Sequence, residues 1–333
     1  MKRGLACMLL CLCLTACIAE APPQKPLQLL GDAAGLDENA ALLRVDGREI
    51  PAWRFLYWLA RACDTVCAEY RAAGMEPDWA AVVDGQSLAD YVKACALSDT
   101  ALYAVVENWA ERYGCADTAD APAQMPAAAE LGLDAARAAE LDRVGQMYRR
   151  LYELFCTEGS VLSPSEETLA AFAAEQGWLA YERILIPFGT DRDAAREKAA
   201  ELFARLNEAE DAAAEFALLA ASGADPAGPY TLPPGTETEE TILRDALAHL
   251  AVGQYSGILE TAEGFSILMR RQPDSAALLE PAFDGLMQST AEAAAVESTA
   301  ECTALDVPSF YRALQRLREA SDVPYEERTG ERE

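Results

Sequence analysis

The sequence predicts an α+β protein: a mostly helical chain with a small, strand-containing unit set inside it. Apolar residues recur at helical spacing through most of residues 41–177 and return to that spacing after Pro273. Between Trp178 and Gln272 the pattern changes to the order β-α-α-α-β-β, which no purely helical fold would carry. Glycine and proline punctuate each of these changes.

The chain opens with an export signal. Lys2 and Arg3 form a positive start, and Leu5 to Leu14 form an apolar core of about ten residues, too short to span a bilayer. Leu14-Thr15-Ala16-Cys17 then resembles the bacterial lipobox, which implies that residues 1–16 are removed and Cys17 is lipidated. Several acyl chains on one cysteine exceed what stable anchoring needs, since each buried methylene contributes about 0.8 kcal/mol. The bland alternative is an ordinary secretory signal cut near Ala16 or Ala19. Residues 17–40 carry Pro22, Pro23, Pro26, Gly31 and Gly35 and read as a flexible tether.

Residues 41–177 form the first part of a helical unit. Ala41 to Val45 reads as a short strand ended by Asp46-Gly47, and Pro51 opens a helix where its missing N–H costs little. Phe55, Leu59, Cys63, Val66 and Tyr70 share a helical face up to Gly74. Further amphipathic helices cover about Leu88 to Tyr113 and Ala135 to Phe155. Ser163-Pro164-Ser165-Glu166 reads as a capping box that starts a fourth helix, ended by Gly177.

Residues 178–272 form the second unit. Leu179 to Pro187 reads as a strand, followed by helices at about Arg192 to Asn207 and Ala212 to Ala221. Ser222 to Gly235 is a Gly/Pro-rich loop, and a short helix covers about Thr241 to Leu250. Two brief strands, Tyr255 to Glu260 and Phe265 to Arg270, flank the turn at Gly264. Residues 273–322 return to helix, at Ala282 to Ala300 and Ser309 to Ala320, and residues 323–333 are a charged tail.

Charge excludes one class of partner. With 27 basic against 55 acidic side chains the net charge is −28, and losing Lys2 and Arg3 makes it more acidic still. Nucleic acid demands a basic footprint and is not expected. Of ten cysteines, Cys7, Cys11 and Cys13 leave with the signal. The mature Cys63, Cys67, Cys95, Cys115, Cys156 and Cys302 are dispersed, which suits buried apolar thiols better than a disulfide framework. Cys63 and Cys67 share a helical face, but with one histidine and no C-x-x-C pair no metal is expected, and no cofactor either.

Three pieces of the second unit carry a resemblance. They are Arg183-Ile184-Leu185-Ile186, Glu215-Phe216-Ala217-Leu218-Leu219-Ala220, and the run from Leu250 through Gly253-Gln254, Ser256-Gly257, Leu259, Thr261 and Gly264-Phe265-Ser266-Ile267-Leu268. Together they resemble the parvulin, or PpiC-type, prolyl isomerase domain, and the last run fits that family's spacing without a gap. The order of lipobox, short strand, helices, isomerase-like domain and returning helices is similar to the PrsA-like and SurA-like foldases, in which the flanking helices form one chaperone unit. The resemblance implies a lipid-anchored protein on the extracytoplasmic face of a bacterial membrane that assists the folding of exported chains. Its partners would be unfolded or partly folded exported proteins. Whether it dimerises through its helices stays open.

The same resemblance assigns site residues. The family's two histidines fall on Arg183 and Ser266, its Cys or Asp on Asp225, its Ser or Thr on Thr261, and the aromatic of its proline pocket on Leu243, with Ile242 beside it in the substrate-binding wall. Both histidines are replaced, so the resemblance leaves two readings: an isomerase working without them, or a chaperone that binds clients without turning them over. An Arg183–Asp225 ion pair is expected where the histidine and acid network would be, and it would either fix the pocket floor or fill it. His249 matches no catalytic position and reads as a surface residue. A solute-binding lipoprotein would need two lobes of repeated strand-helix alternation, and nucleophilic catalysis lacks a Gly-x-Ser-x-Gly.

Overall fold

Two stretches of hydrophobic periodicity, separated in sequence, close into one core, and the unit between them builds its own. The computed structural model describes residues 28–117, 131–224, 228–235 and 240–320. Cys17 and the lipobox lie outside these.

The first core takes its elements from both ends of the described chain. They are α1 (Leu29–Ala34), β1 (Ala41–Val45), β2 (Arg48–Pro51), α2 (Ala52–Ala72), the β3–β4 hairpin (Val82–Val83 and Gln86–Ser87), α3 (Leu88–Tyr113), α4 (Ala135–Cys156) and α5 (Glu166–Gln176). After the second unit the chain returns with α9 (Ser275–Ala293), β9 (Val296–Ser298), α10 (Ala300–Ala304) and α11 (Val307–Ala320). Phe55, Leu59, Leu141, Leu151, Phe283, Phe310 and Leu314 all belong to this one cluster. Phe283 on α9 sits among Tyr148, Tyr152 and Phe155 of α4, with ring centroids 5.0 to 5.5 Å away. On α11, Tyr311 and Arg318 bond Asp64 of α2 at 2.9 Å. Burial, reinforced by the Asp64 carboxylate, holds the Tyr311 hydroxyl far above its usual pKa.

Several expectations are corrected here. Residues 29–40 are not tether: Leu29, Leu30 and Gly31 are buried in a six-residue helix packed on α11 and α2, and the Glu38 carboxylate accepts from the Gly31 N–H at 2.8 Å. A helix this short has no stability alone, so its sequence gives little sign of it; the shared core supplies it. The cap of α5 is Ser165, not Ser163: its hydroxyl accepts from Thr168 N–H at 3.1 Å. Pro51 both closes β2 and caps α2, one residue before its first helical position. The helix expected over Ala282 to Ala300 starts earlier, capped by Asp274, carries Pro281 inside it, and ends at Ala293. Beyond it the chain forms β9, whose residues are all exposed and so show no alternation; pairing with β1 (Leu43 opposite Ser298, Val45 opposite Val296) makes it a strand. The resulting sheet has the order β2-β1-β9.

The second unit comprises β5 (Leu179–Pro187), α6 (Arg192–Glu208), α7 (Ala212–Ala221), β6 (Tyr230–Leu232), α8 (Glu240–Ala248), β7 (Leu259–Glu260) and β8 (Gly264–Arg271). Its antiparallel sheet runs β6-β5-β8-β7. Strand β6 lies inside the expected loop: three residues are too few to show a pattern, and pairing with Leu179–Tyr181 decides it. The strand expected from Tyr255 shrinks to β7 and one bridge, Tyr255 to Met269. The cause is Ser256, whose hydroxyl, not its carbonyl, accepts from Leu268 N–H at 2.9 Å. Alternation along β5 and β8 separates the faces: Ile184, Ile186, Phe265, Ile267 and Met269 pack under α6 and α7, while Tyr181 and Leu268 pack with Leu243 and Leu247 of α8. Among the described residues no helix is long and apolar enough to cross a membrane.

Two outcomes are expected. Phe283→Ala should lower the stability of the helical unit by about 3–5 kcal/mol in urea unfolding, because it empties a ring-filled site in the core. A loss well under 1 kcal/mol would show that α9 is not part of that core. Burial also raises the Asp99 carboxyl above its usual pKa, against the pull of Arg61. A carboxyl with a raised folded pKa destabilises the fold above that value and ceases to do so as pH falls to the ordinary range. Asp99→Asn should therefore raise the urea midpoint at neutral pH, by an amount that shrinks on acidification.

Candidate functional site

The candidate site lies on the face of the four-stranded sheet turned away from α6 and α7. The β5–β8 register sets Leu185 opposite Ser266 and Arg183 opposite Leu268, and Leu259 of β7 lies opposite Ser266 on its other side. Period-two alternation then puts Arg183, Leu185, Ser266 and Leu268 on one face. Leu243 from α8 closes the apolar end of that face and is buried with Leu268 and Tyr181. Ile242 points outward and is half exposed, so of the two expected wall residues only Leu243 joins the apolar cluster.

Ser266 is fully buried, and its Oγ has no hydrogen-bond partner among the described residues. A buried hydroxyl without a partner carries a desolvation penalty of about 1–3 kcal/mol. Such groups in native folds call for an explanation, and a ligand that accepts or donates there is one.

Thr261 is committed elsewhere. Its hydroxyl donates to the Gly264 carbonyl at 3.0 Å, and its N–H bonds the same oxygen at 2.8 Å, so the residue braces the β7–β8 turn. Gly264 has a second constraint, since any Cβ there would collide with the Ile186 carbonyl of β5.

Arg183 does meet a carboxylate, Glu263: its Nη1 donates to Oε2 at 2.7 Å, while its guanidinium carbon lies 5.8 Å from the Tyr230 ring centroid. Asp225, the acid the sequence pointed to, lies outside the described residues, and Glu263 is one it did not point to. Glu263 carries a legible signal only afterwards, as the residue between Thr261 and the close-packed Gly264. His249 is exposed, with Nδ1 2.8 Å from the Asp245 carbonyl oxygen, in a surface turn apart from this face.

Nothing among the described residues competes as a metal or thiol site. No group of three potential ligands gathers. The six cysteines among the described residues are free, and burial pushes the Cys63 thiol far above its usual pKa. A raised thiol pKa suppresses the reactive thiolate.

With this geometry in place, the chain was compared with known proteins. No protein-family model and no curated protein matches it. Among solved structures it is similar to the peptidylprolyl isomerase PrsA of Bacillus cereus, at 14% identity and a TM-score of 0.23, covering 88% of this chain and 96% of that one. It is similar to PrsA of Bacillus subtilis at 11% identity and a TM-score of 0.25, with the same coverage. A structure described among the SurA-like chaperones of Campylobacter jejuni is matched at 13% identity and a TM-score of 0.17, over 78% of this chain and all of that one. TM-scores this far below 0.5 leave the functional argument to the residues themselves.

The two serines of the sheet should behave oppositely. Ser256→Ala should cost about 1–2 kcal/mol in urea unfolding, because it strips the acceptor from Leu268 N–H, whereas Ser266→Ala should be neutral or stabilising. A large loss at Ser266 would mean that its hydroxyl is already satisfied within the fold.

Proposed function

We propose that this chain is an extracytoplasmic foldase of the PrsA-like and SurA-like kind, anchored through lipid on Cys17. In this reading it binds unfolded exported polypeptides and receives their prolines on the sheet face around Ser266. The observation that carries the reading is that face: one side of the sheet is packed by α6 and α7, and the other carries both the Leu243 cluster and the Ser266 hydroxyl, which has no partner among the described residues. The resemblance to parvulins assigns Leu243 to the proline pocket and Ser266 to the place of a histidine.

The chemistry asks for little more. Rotation about an X-Pro bond faces a barrier of roughly 18–20 kcal/mol because amide resonance must be broken, and no bond to the protein has to form. A site that favours the twisted amide over the planar one lowers that barrier. Here the donors on that face are the buried Ser266 hydroxyl and the Arg183 guanidinium, which already pairs with Glu263.

A second reading, client binding without turnover, is favoured by the Thr261 hydroxyl, which is spent on Gly264, and by the Arg183–Glu263 pair that stands where a histidine network would. Exchange NMR on a short Ala-Pro peptide separates the two, using the full chain beside its Arg183→Ala variant. Acceleration above the uncatalysed rate that the variant loses supports the isomerase. No acceleration, together with suppressed aggregation of a denatured test protein, leaves the chaperone; failure of both overturns the proposal. Incorporation of labelled palmitate into the bacterially expressed chain, lost in Cys17→Ala, is the outcome expected of the anchor.

A further inference from the structure

Strand β9 ends its sheet on an open edge. In the order β2-β1-β9 no strand lies beyond it among the described residues. Asp46 N–H donates to the Ala295 carbonyl at 3.0 Å, and Thr299 N–H to the Leu42 carbonyl at 3.2 Å. Antiparallel partners exchange such bonds at every second residue, so it is Glu297, opposite Arg44, that bonds inward to β1. Val296 and Ser298 therefore turn their N–H and C=O groups outward, and both residues are exposed. The other edge, β2, is blunted: Pro51 at its end has no N–H, and the Arg48 side chain is held by Asn108 and Glu111. Strand β9 carries neither proline nor lysine.

Side-chain charge selects what such an edge accepts. The register aligns Glu49, Arg44 and Glu297 in one row across the three strands. Arg44 donates to Glu49 at 2.8 Å. The row thus runs acid, base, acid, and a fourth strand would set a residue of its own beside Glu297, where an opposite charge is favoured. A concavity of about 180 Å³, lined in part by this row and by Ser298, leaves room for that side chain. A second copy of this chain, pairing β9 with β9 about Glu297, would instead set two like charges opposite each other. We propose that the β9 edge binds an extended, cationic segment of an unfolded exported polypeptide, adding it as a fourth strand with a lysine or arginine beside Glu297. This rests on the client-binding reading and gives the helical unit a site of its own, apart from the sheet of the second unit. Main-chain bonds to Val296 and Ser298 supply the affinity, and the row of charges supplies the preference.

The test is fluorescence anisotropy at low salt on the full chain, with a labelled peptide of alternating Thr and Val and a central Lys. The same peptide with a central Glu should bind about threefold to fivefold more weakly, the scale of one cross-strand charge pair. Glu297→Lys should invert that preference, which a general pull of the acidic chain would not do, because the exchange alters a net charge of −28 by two units. Methylating alternate amide nitrogens of the peptide on one edge should abolish binding, and methylating those on the other edge should not. Val296→Pro removes an outward N–H and should weaken the Lys peptide about fivefold or more. If that variant loses stability in urea, the two methylated peptides decide the matter on the unaltered chain. Equal effects of the two methylation patterns, or an unchanged preference in Glu297→Lys, overturn the proposal. So does a dimer of the unaltered chain in sedimentation that Val296→Pro dissociates, since a second copy then holds the edge. If the unaltered chain suppresses aggregation of a denatured test protein but does not bind the Lys peptide, this proposal alone fails; if it does neither, the client-binding reading fails with it.

Discussion

The antiparallel ladder between β5 and β8 is the constraint on which the second unit depends. It pairs Ala180 to Pro187 with Arg271 to Gly264 without a break. A slip of β8 by one residue would turn Ile267 away from α6 and α7 and drive Ser266 and Leu268 into the core beneath them. The apolar partners of that core, Phe216, Leu202 and Leu206, make the cost of such a slip prohibitive. Gly264 holds the end of the ladder, where backbone meets backbone too closely for any side chain. The face that carries Arg183 and Ser266 is thus fixed by packing on the other side of the sheet.

The helical unit solves a different problem, that of joining segments far apart in sequence. Ion pairs do part of this. Arg54 of α2 is buried and makes two bonds to Glu107 of α3, at 2.7 and 3.0 Å, and a third to Glu140 of α4. Arg137 of α4 bonds the buried Glu38, and its guanidinium carbon lies 5.5 Å from the Trp53 ring centroid. Arg318 and Asp64 tie α11 to α2. Buried pairs are weak evidence for net stability, yet breaking one by removing a partner typically costs about 3–5 kcal/mol, which makes the alternative packings of a highly acidic chain expensive. Basic residues are the scarce ones here, 27 against 55, and several of them are spent on these joints.

The same economy extends to the sheet of the second unit. Arg183 stands where the parvulin resemblance places a histidine, and it arrives with a carboxylate of its own, set by the turn that Thr261 braces. Thr261, which the resemblance assigns to the site, donates its hydroxyl to the Gly264 carbonyl and so fixes that turn.

Long, strongly periodic elements were legible from the residues alone. The bounds of the helix Leu88–Tyr113, the strand Leu179–Pro187 and the helix Ala212–Ala221 coincide with those expected from sequence, because each carries its own repeat and its own cap or stop. An ungapped spacing singled out Ser266, and the wider resemblance Arg183 and Leu243; the register then sets Arg183 and Ser266 on one face of the sheet. Beyond the reach of the sequence were the elements that exist only through their partners: α1, six residues stabilised by a shared core; β6 and β9, three residues each, strands only because β5 and β1 bond them; and Glu263, an ordinary surface acid until the turn brings it to Arg183. Local periodicity fixes elements long enough to bury a face of their own. Short elements and side-chain pairings are decided by contacts between residues distant in the chain, which only the tertiary structure brings together.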